Sequence, residues 1–571
     1  MASNSSKVRA WVSGLWASHG CFLAVLPANR MAAVAFNDVC GSAKATNTNM
    51  MICNEQMSLV DALAFYANLS CDIKPDCVSR PSMVDDLSFH RTDTVDDADL
   101  ALITTGAFGF SLQALPMRRK LGWFAGLSRS AKFRRTGEQA EADFVLTLDP
   151  KHGVACDQLL FTFLPDSSSF ATRNLRKGSQ VALNGVRIPS KEWGTILTQH
   201  STLTVGEMSY YLVWNVPQNG EKDFQSRRNK YTTTELDHEL PIESVCSTPR
   251  GEAVYVGHWR LRSFAGKGTE SVFFSAVGVH GELVAVNQVV RTDWPSAEKA
   301  DEEIRLYEKM KGRLQHHPSR RFIIGLRDLI FSSGKRSFEE VQIADIANIM
   351  ITPLARGTFE DMLIRTKETN DHYTIVQLFD QALSGVAALH DVGYVHRDIK
   401  PTNLGIMSLS SPQVVVLDIT QAVYTPADRA RGIECTAGFS GTIGFHAPET
   451  EITGGRFGQP TDAFALECVG FHLFTGRTLL GPRFNPSRQP LSPKAPIQEM
   501  MQERELHVAV LRQLRQAPED SMDNLLCGML QTLPESRLSV EKAIKHLAVA
   551  PALFPDPTYK VSDTQKRQYS S

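Results

Sequence analysis

The chain has 571 residues, of which 42% are hydrophobic and 21% charged, a composition typical of a globular protein with roughly two to four domains. Its formal net charge of −2 excludes strong bulk attraction to nucleic acid or to an anionic membrane, and we expect neither as a partner. No segment reaches the roughly 18 apolar residues that a membrane-spanning helix needs. The ten cysteines include no C-x-x-C pair, which argues against a zinc site or a disulfide scaffold and favours reduced thiols in an intracellular protein.

Residues 1–100 carry the weakest pattern. The stretch from Leu59 to Ala67 predicts a short helix, and the stretch from Val84 to Asp99 is polar and acidic. We assign no function to this region and expect part of it to be disordered.

From about residue 101 to 216, short runs of β-forming residues alternate with turn residues, which predicts a β-sandwich. Asn184-Gly185 is a strong turn signal, because both residue types tolerate positive φ angles. The clearest runs cover residues 142–146, 159–163, 181–188 and 203–214. Their order resembles a forkhead-associated (FHA) domain, a sandwich whose loops read phosphothreonine.

Only part of that family's phosphate-binding set has a counterpart in this chain. Arg135 falls where the family places its phosphate-binding arginine, but the family's S-x-x-H motif falls on Ala155-Cys156-Asp157-Gln158, which lacks the serine and the histidine. Arg135, Arg176 and Lys177 could still form an anion site for a phosphoprotein partner. The alternative is a sandwich that docks the rest of the chain or a partner without reading phosphate.

Residues 217–252 are polar and without clear periodicity, which predicts a linker. After this stretch, Gly266 and Gly268 lie between two β-type runs. Glycines at such a hairpin let backbone amides approach phosphates closely.

A further β-type run, Leu283 to Asn287, is followed by a predicted helix. We expect Pro295-Ser296 to cap this helix. One face of the helix carries residues at helical spacing, namely Glu303, Ile304, Tyr307 and Met310.

Apolar residues at helical spacing from Tyr373 to Val392 predict a buried helix that leads into the run His396 to Asn403. In this run, Asp398 could accept the proton of an attacking hydroxyl, Lys400 could neutralise the charge of a moving phosphoryl group, and Asn403 could hold a magnesium ion. The run resembles the catalytic loop of eukaryotic protein kinases, and Lys400 at this place resembles their serine/threonine branch.

The next buried-type strand ends in Asp418, whose carboxylate suits magnesium. The resemblance makes Asp418 the metal-binding aspartate, together with Asn403. The family's D-F-G motif here reads Asp418-Ile419-Thr420, and the loss of the glycine predicts a less mobile switch. Gly405, where a leucine is usual, predicts a gap beneath the nucleotide.

The resemblance also implies an activation segment from Gln421 to Phe445. Thr436 and Ser440 are the hydroxyls best placed for phosphorylation, with Arg397 as their basic partner. Thr442 matches the threonine that bridges the catalytic aspartate and lysine.

Two further pairings follow from the resemblance and are structural in kind. Glu449, in the family's Ala-Pro-Glu motif, is expected to pair with Arg537, and Asp462 is expected to brace the catalytic loop. The kinase-like region covers about residues 253–555, and residues 556–571 form a tail.

The resemblance also covers the β-type runs before residue 290, which would form the smaller lobe of a kinase. It implies that Gly266 and Gly268 cover the phosphates of ATP, while Val272 and Ala285 roof its adenine. The lysine that normally grips the α- and β-phosphates is replaced by Asn287. Glu303 would then lack its lysine partner, unless Lys267 compensates.

We therefore expect an α+β architecture: a bilobal protein-kinase fold, with a small β-rich lobe and a large helical lobe, preceded by an FHA-like β-sandwich. The expected function is a serine/threonine protein kinase that uses ATP and Mg²⁺ to phosphorylate a protein substrate, with activity reduced by Asn287. The alternative is a pseudokinase that binds nucleotide or acts as a scaffold. An FHA-like module joined to a kinase loosely resembles the checkpoint kinases of the DNA-damage response, so we expect a nuclear or cytoplasmic location.

Overall fold

The computed structural model describes residues 4–41, 51–67, 102–127, 142–178, 180–240, 254–267, 271–291, 293–336, 345–365, 372–408, 411, 413–425, 433–434, 442, 444–451, 456–475, 515 and 522–549. The chain divides into two compact units. The first comprises Met1–Val290 with Leu329–Met350, and the second comprises Arg291–Asp328 with Ile351–Ser571.

Among its described residues, the first unit contains a β-sandwich and four helices that precede the kinase-like region. The helices are α1 (Asn4–His19), α2 (Arg30–Gly41), α3 (Leu59–Ala67) and α4 (Glu221–Thr234). The strands are β1 (Cys21–Pro27), β2 (Met51–Ser58), β3 (Leu102–Ser111), β4 (Trp123–Leu127), β5 (Phe144–Thr147), β6 (Leu159–Phe163), β7 (Phe170–Asn174), β8 (Val181–Leu183), β9 (Val186–Arg187), β10 (Trp193–Thr195), β11 (His200–Val205) and β12 (Met208–Trp214). One sheet has the strand order β2-β3-β1-β12-β11-β8-β9, and the other has the order β10-β7-β6-β4-β5. The predicted β-sandwich is confirmed.

Aromatic side chains fill the space between the two sheets. Phe22, Phe110, Phe161 and Phe170 belong to one buried cluster. The ring centroids of Phe110 and Phe161 lie 4.9 Å apart, and those of Phe22 and Phe170 lie 5.2 Å apart. Such pairs add about 0.5–1.5 kcal/mol each beyond the burial of their surface. The predicted Asn184-Gly185 turn joins β8 to β9, with φ angles of 52° and 77°.

The N-terminal region contributes more strands and helices to the sandwich than the sequence predicts. The helix over Leu59–Ala67 is confirmed, but β1 is also a central strand of the larger sheet, between β3 and β12. The prediction that the sandwich begins at residue 101 is therefore wrong. Cys21–Pro27 is buried at every position, so it lacks the alternation that marks a half-exposed strand. The acidic stretch from Val84 to Asp99 lies outside the described residues.

The predicted linker is wrong for residues 218–234. They form a short 3-10 helix and then α4, whose Phe224 and Tyr231 lie in the core of the sandwich. The hydroxyl of Tyr231 donates to the carbonyl of Arg119 at 3.0 Å. The sequence gives no helical hydrophobic periodicity here, because these two aromatic residues are the only large apolar side chains of α4. Residues 241–252 of the predicted linker lie outside the described part of the chain.

A six-stranded sheet follows, in the order β13-β14-β15-β16-β18-β17. Its strands are β13 (Tyr255–Val256), β14 (Trp259–Lys267), β15 (Ser271–Val277), β16 (Leu283–Val289), β17 (Gly325–Phe331) and β18 (Ala347–Thr352). Gly266 is the penultimate residue of β14, and Gly268 lies outside the described residues.

The register of β15 and β16 corrects one predicted contact. Phe273 pairs with Asn287, whereas Val272 pairs with Gln288. Because successive side chains of a strand face opposite sides, Phe273 shares a face with Asn287 and Ala285, and Val272 lies on the other face. The prediction that Val272 and Ala285 face the adenine together is therefore wrong, by an offset of one position.

The sandwich contacts the turn that joins β15 to β16. The backbone N–H of Thr195, in the edge strand β10, donates to the carbonyl of Val279 at 2.9 Å. Gly281 has a φ of 87°, and a Cβ atom at this position would lie 2.2 Å from Cδ1 of Leu164. The sandwich and this hairpin are thus in direct contact within the first unit.

The second unit is mainly helical. Its helices are α5 (Trp294–Leu314), α6 (Phe359–Arg365), α7 (His372–Asp391), α8 (Gln459–Thr475), α9 (Met522–Met529) and α10 (Val540–Val549). Its short strands are β19 (Gly357–Thr358), β20 (Tyr394–Val395), β21 (Leu404–Ser408), β22 (Gln413–Val416), β23 (Val423–Tyr424), β24 (Ile433–Glu434) and β25 (Arg456–Phe457). In the described part of the chain, no helix has both the length and the apolar character needed to cross a membrane.

The two long helices nearest the candidate site follow the predictions closely. The face of α7 that the spacing predicts to be apolar is buried, including Phe379, Leu383 and Val386. In α5, the N-cap is Asp293, two residues before the predicted Pro295-Ser296 pair, and it forms a capping box with Ser296. Its carboxylate accepts from the backbone N–H of Ser296 at 2.9 Å.

Candidate active site

Asp398, Lys400 and Thr442 form a closed triangle of hydrogen bonds. Lys400 Nζ donates to Oδ2 of Asp398 at 2.8 Å and to the hydroxyl of Thr442 at 2.9 Å, and that hydroxyl donates to Oδ1 of Asp398 at 2.8 Å. Asn403 Nδ2 donates to the backbone carbonyl of Asp398 at 2.8 Å and to its Oδ2 at 3.1 Å. The structure therefore brings together the four residues predicted to be catalytic.

This environment keeps Asp398 ionised. Burial alone would raise the pKa of its carboxyl, but the hydrogen bonds from Lys400 and Thr442 and the positive charge of Lys400 outweigh it, so that the pKa lies below its ordinary value. A carboxylate that stays charged is suited to accept a hydrogen bond from an incoming hydroxyl and then its proton.

Two hydrogen bonds connect this loop to Leu417, which lies just after β22 and next to Asp418. The N–H of Leu417 donates to the carbonyl of Asn403 at 2.9 Å, and Nε2 of His396 lies 2.9 Å from the carbonyl oxygen of Leu417. Since a carbonyl can only accept, Nε2 carries the proton in this contact. Asp398, Asn403 and Asp418 therefore belong to one hydrogen-bonded substructure.

Asp418 stands at the turn after β22 with φ 48° and ψ 71°, in the left-handed region. Its exposed Oδ1 accepts from the hydroxyl of Thr420 at 2.5 Å and from the backbone N–H of Thr420 at 3.4 Å. The residue that replaces the family's glycine thus binds the carboxylate directly.

The oxygen atoms of this site suit a magnesium ion. Because Asn403 uses its amide nitrogen to bind Asp398, its carbonyl oxygen remains as the ligand atom, and Asp418 offers Oδ2. No cluster of three or more His, Cys, Asp or Glu side chains that could hold a metal occurs in the described ranges. A magnesium ion would therefore need these two residues together with phosphate oxygens and water.

Asp462 braces the catalytic loop, as predicted. Its carboxylate is 1% exposed and accepts from the backbone N–H groups of His396 at 2.7 Å and Arg397 at 2.9 Å. Nε2 of His390 lies 2.9 Å from the same carboxylate. Burial would raise the pKa of Asp462, but the bonds from His390 and the backbone lower it below the ordinary value. Sequence reasoning missed His390, because a histidine at the end of a helix carries no distinctive signal.

The expected pair of Glu449 and Arg537 is also confirmed. The two guanidinium NH groups donate to the two carboxylate oxygens at 2.6 and 2.8 Å, which is the bidentate geometry. Arg537 also donates to the carbonyl of Pro460 at 2.8 Å. This pair anchors the Ala447-Pro448-Glu449 segment.

The gap predicted at Gly405 is filled. A Cβ at this position would lie 2.8 Å from the Cβ of Ala355 and 3.0 Å from Cδ1 of Leu417 and Cγ1 of Val415. The prediction was wrong because neighbouring side chains occupy the space that a leucine would take.

Asn287 and Glu303 lie in different units. Asn287 is 4% exposed on β16 in the first unit. Glu303 lies on α5 in the second unit, near Tyr307, whose pKa is raised well above its ordinary value by burial and by the negative charges of Glu303 and Asp418. That Glu303 lacks its lysine partner thus stays a prediction, as does a compensating role for Lys267.

Arg397 has an aromatic neighbour that the sequence did not indicate. Its guanidinium carbon lies 4.2 Å from the ring centroid of Phe457, in β25. The two hydroxyls predicted to be phosphorylated, Thr436 and Ser440, lie outside the described residues.

In the sandwich, Gln158 takes over a structural role. It is fully buried, its Nε2 donates to Oδ1 of Asn174 at 2.7 Å, and its Oε1 accepts from the N–H of Ala155 at 3.2 Å. Arg176 and Lys177 are exposed just after β7, and Nε of Arg176 donates to the carbonyl of Cys156 at 3.2 Å. Arg135 lies outside the described residues.

Several curated proteins are similar to part of the chain. Mitogen-activated protein kinase 14 of Xenopus laevis is 31% identical over 167 residues, 29% of this chain and 42% of that protein. Serine/threonine-protein kinase/endoribonuclease IRE1b of Arabidopsis thaliana is 28% identical over 225 residues, 37% of this chain and 25% of that protein. Serine/threonine-protein kinase SSK22 of Saccharomyces cerevisiae is 30% identical over 238 residues, 38% of this chain and 16% of that protein. The chain thus spans less than half the length of each relative.

A solved structure, that of Rad53 residues 1–466 in complex with AMP-PNP, is similar at a TM-score of 0.39 and 15% identity, over 74% of this chain and 90% of that one. This likeness is too slight to support any inference. The family model described as protein kinase domain matches residues 259–548, just over half of the chain. The chain therefore belongs to the protein kinase family.

Proposed function

We propose that this protein is a serine/threonine protein kinase that transfers the γ-phosphoryl group of ATP to a hydroxyl of a protein substrate. The observation that carries the proposal is the triangle of Asp398, Lys400 and Thr442. Asp398 accepts the proton of the attacking hydroxyl, and Lys400 neutralises negative charge on the moving phosphoryl group. Thr442 holds the carboxylate and the ammonium group in register.

ATP with Mg²⁺ would supply the phosphoryl group and shield its charge. Asn403 and Asp418 would hold the metal, and Gly266 and Gly268 would cover the phosphates. Phe273 and Ala285 would lie against the adenine, because they share a face of the sheet.

One observation favours a second candidate, a pseudokinase that binds nucleotide or acts as a scaffold. Asn287 is uncharged at the position where the family has a lysine. Loss of one charge-assisted contact costs roughly 1.5–3 kcal/mol. This cost corresponds to a rate that is about tenfold to a hundredfold lower. Because the triangle of Asp398, Lys400 and Thr442 is intact, slow phosphoryl transfer is better supported than a complete loss of transfer.

The test combines nucleotide-dependent thermal stabilisation, with and without Mg²⁺, with transfer of labelled γ-phosphate to a generic protein substrate. We expect transfer by the wild type, none by Asp398→Asn, and faster transfer by Asn287→Lys. Asp391→Asn is the matched control, since the side chain of this aspartate is exposed and its ion-pair partner in the described part of the chain is His317, away from the triangle. Stabilisation without transfer in the wild type, but transfer in Asn287→Lys, would establish the pseudokinase instead.

A phosphoprotein partner for the sandwich stays a prediction. It is supported by the exposed, adjacent Arg176 and Lys177 and by the loop that Gln158 holds in place. Binding of a phosphothreonine peptide, and its loss in Arg176→Ala and Lys177→Ala, would test it against the unphosphorylated peptide. The nuclear or cytoplasmic location also stays a prediction.

A further inference from the structure

Two cysteines of the N-terminal region have their sulfur atoms in contact. Cys40 lies near the end of α2 and Cys53 lies on β2, and their Sγ atoms are 3.5 Å apart. Cys40 is partly buried, with its Sγ also 3.4 Å from Sδ of Met51, whereas Cys53 is exposed. The thiol of Cys53 is thus accessible to a dissolved reagent, and the thiol of Cys40 lies in contact with it.

The local backbone permits the remaining approach. A disulfide requires a sulfur–sulfur distance of about 2.05 Å, so the two atoms have to come roughly 1.5 Å closer. β2 is the edge strand of its sheet, and its pairing with β3 shifts register between Cys53 and Gln56. A strand with one free side and an irregular ladder can move its side chains without breaking a continuous set of hydrogen bonds.

We propose that Cys40 and Cys53 form a reversible disulfide when the protein meets a low-molecular-weight disulfide such as oxidised glutathione. The thiolate of Cys53 attacks one sulfur of the oxidant, forming a mixed disulfide and releasing one glutathione thiolate. Cys40 then gives its proton to water and attacks the sulfur of Cys53, which releases the second glutathione thiolate. Two protein thiols are oxidised, and one glutathione disulfide is reduced to two thiols.

The environments of the two thiols set this order. Burial, the hydrogen bond with Cys53 and the charge of Cys53 raise the pKa of Cys40 to about 12. Since the thiolate is the attacking species, Cys40 is a poor first nucleophile at neutral pH, and the exposed Cys53 reacts first. Cys40 is the resolving thiol because it already lies against Cys53.

The bond would fasten the end of α2 to the edge strand of the larger sheet. The two residues are 13 positions apart, so the cross-link closes a short loop. Closing such a loop restricts the unfolded chain and stabilises the fold. We expect the oxidised protein to unfold at a temperature higher by on the order of 5 °C.

The experiment uses the full chain, incubated with reduced or oxidised glutathione, alkylated and mapped by mass spectrometry under non-reducing conditions. We expect one cross-linked peptide pair that contains Cys40 and Cys53, which disappears on reduction with dithiothreitol. Cys53→Ser should abolish the pair and the rise in unfolding temperature. Cys40→Ser should leave Cys53 as a stable glutathione adduct. Cys156→Ser, a change at another partly buried cysteine, should leave the cross-link intact.

Other outcomes would overturn the proposal. These are a Cys53 that keeps glutathione in the wild type, a Cys53 joined to another cysteine, or a cross-link that leaves the unfolding temperature unchanged. None of these readouts depends on kinase activity, so the inference stands or falls separately from the proposed function.

Discussion

The hydroxyl of Thr420 donates a 2.5 Å hydrogen bond to Oδ1 of Asp418, the carboxylate proposed to hold magnesium. The bond leaves Oδ2 as the carboxylate oxygen that a magnesium ion could bind. Thr420, which was expected only to stiffen the turn, therefore also orients the carboxylate of Asp418.

Thr420→Val removes this hydroxyl while keeping the shape of the side chain. Hydrogen bonds to charged groups contribute about 1.5–3 kcal/mol, so we expect the variant to need at least about tenfold more Mg²⁺ for nucleotide-dependent thermal stabilisation. Thr420→Ser, which keeps the hydroxyl, should match the wild type. Equal Mg²⁺ requirements in the valine and serine variants would show that the bond does not position Asp418.

Thr442→Val should slow phosphoryl transfer by about tenfold to a hundredfold, because the carboxylate of Asp398 loses the hydrogen bond from the Thr442 hydroxyl. The same loss removes one cause of the lowered pKa of Asp398. Since Asp398 acts as a base only when ionised, the acidic limb of the pH–rate profile should move to higher pH. Thr442→Ser should restore the wild-type profile. A lower rate with an unmoved limb would contradict this role.

Asp462→Ala should lower the free energy of unfolding by about 3 kcal/mol or more. The change leaves the buried N–H groups of His396 and Arg397 and the ring of His390 without their common acceptor. Urea denaturation measures the effect, with the exposed Asp391→Ala as the control. A difference below 1 kcal/mol would show that water replaces the carboxylate.

Gly281→Ala should destabilise the contact between the sandwich and the β15–β16 turn. The new methyl group would collide with Leu164, and we expect a loss of about 1–3 kcal/mol from overpacking. Gly334→Ala is the matched control, because Gly334 also has a positive φ, 81°, but has nothing within 4 Å of its Cβ position. Hydrogen exchange of the Thr195 amide should speed up in the first variant and stay unchanged in the second. If the Thr195 amide exchanged at the same rate in both variants, the contact between Gly281 and Leu164 would not hold the sandwich against this turn.

Glu467→Gln should stabilise the protein at alkaline pH. The carboxyl of Glu467 is fully buried in α8, neither of its oxygens has a partner among the described residues, and burial raises its pKa well above the ordinary value. The folded state therefore keeps a proton that the unfolded state loses. Stability falls by at most about 1.4 kcal/mol per pH unit between the unfolded and folded pKa values. The gain from the substitution should be larger at pH 8 than at pH 5 in urea titrations, and an equal gain would contradict this account.

The arrangement of the run from His396 to Asn403 was predictable because its functional residues lie close together in the sequence. Asp398, Lys400 and Asn403 lie within six consecutive residues, and their chemistry fixes their spacing. Asp462 and Arg537 were also predictable, because a buried charge needs a partner and the family's motifs indicate which residue that partner is.

The errors arose where long-range packing decides the outcome. Cys21–Pro27 has no alternation because helices and the second sheet cover both its faces. The large apolar side chains that α4 adds to the core are those of Phe224 and Tyr231. Val272 was misplaced because a shift of one residue reverses the face of a strand. At Gly405, composition cannot reveal that Ala355 and Leu417 fill the space.

The stacking of Arg397 on Phe457 bears on how phosphorylation of the activation segment would be read. Phe457 is buried and Arg397 is half-buried, so this cation–π contact is worth about 0.5–2 kcal/mol. A charge-assisted bond to a phosphate is worth about 1.5–3 kcal/mol. If Thr436 or Ser440 is phosphorylated, the ring and the phosphate would compete for one guanidinium on nearly equal terms. We therefore expect a response that rises in proportion to the fraction phosphorylated, without an all-or-none transition.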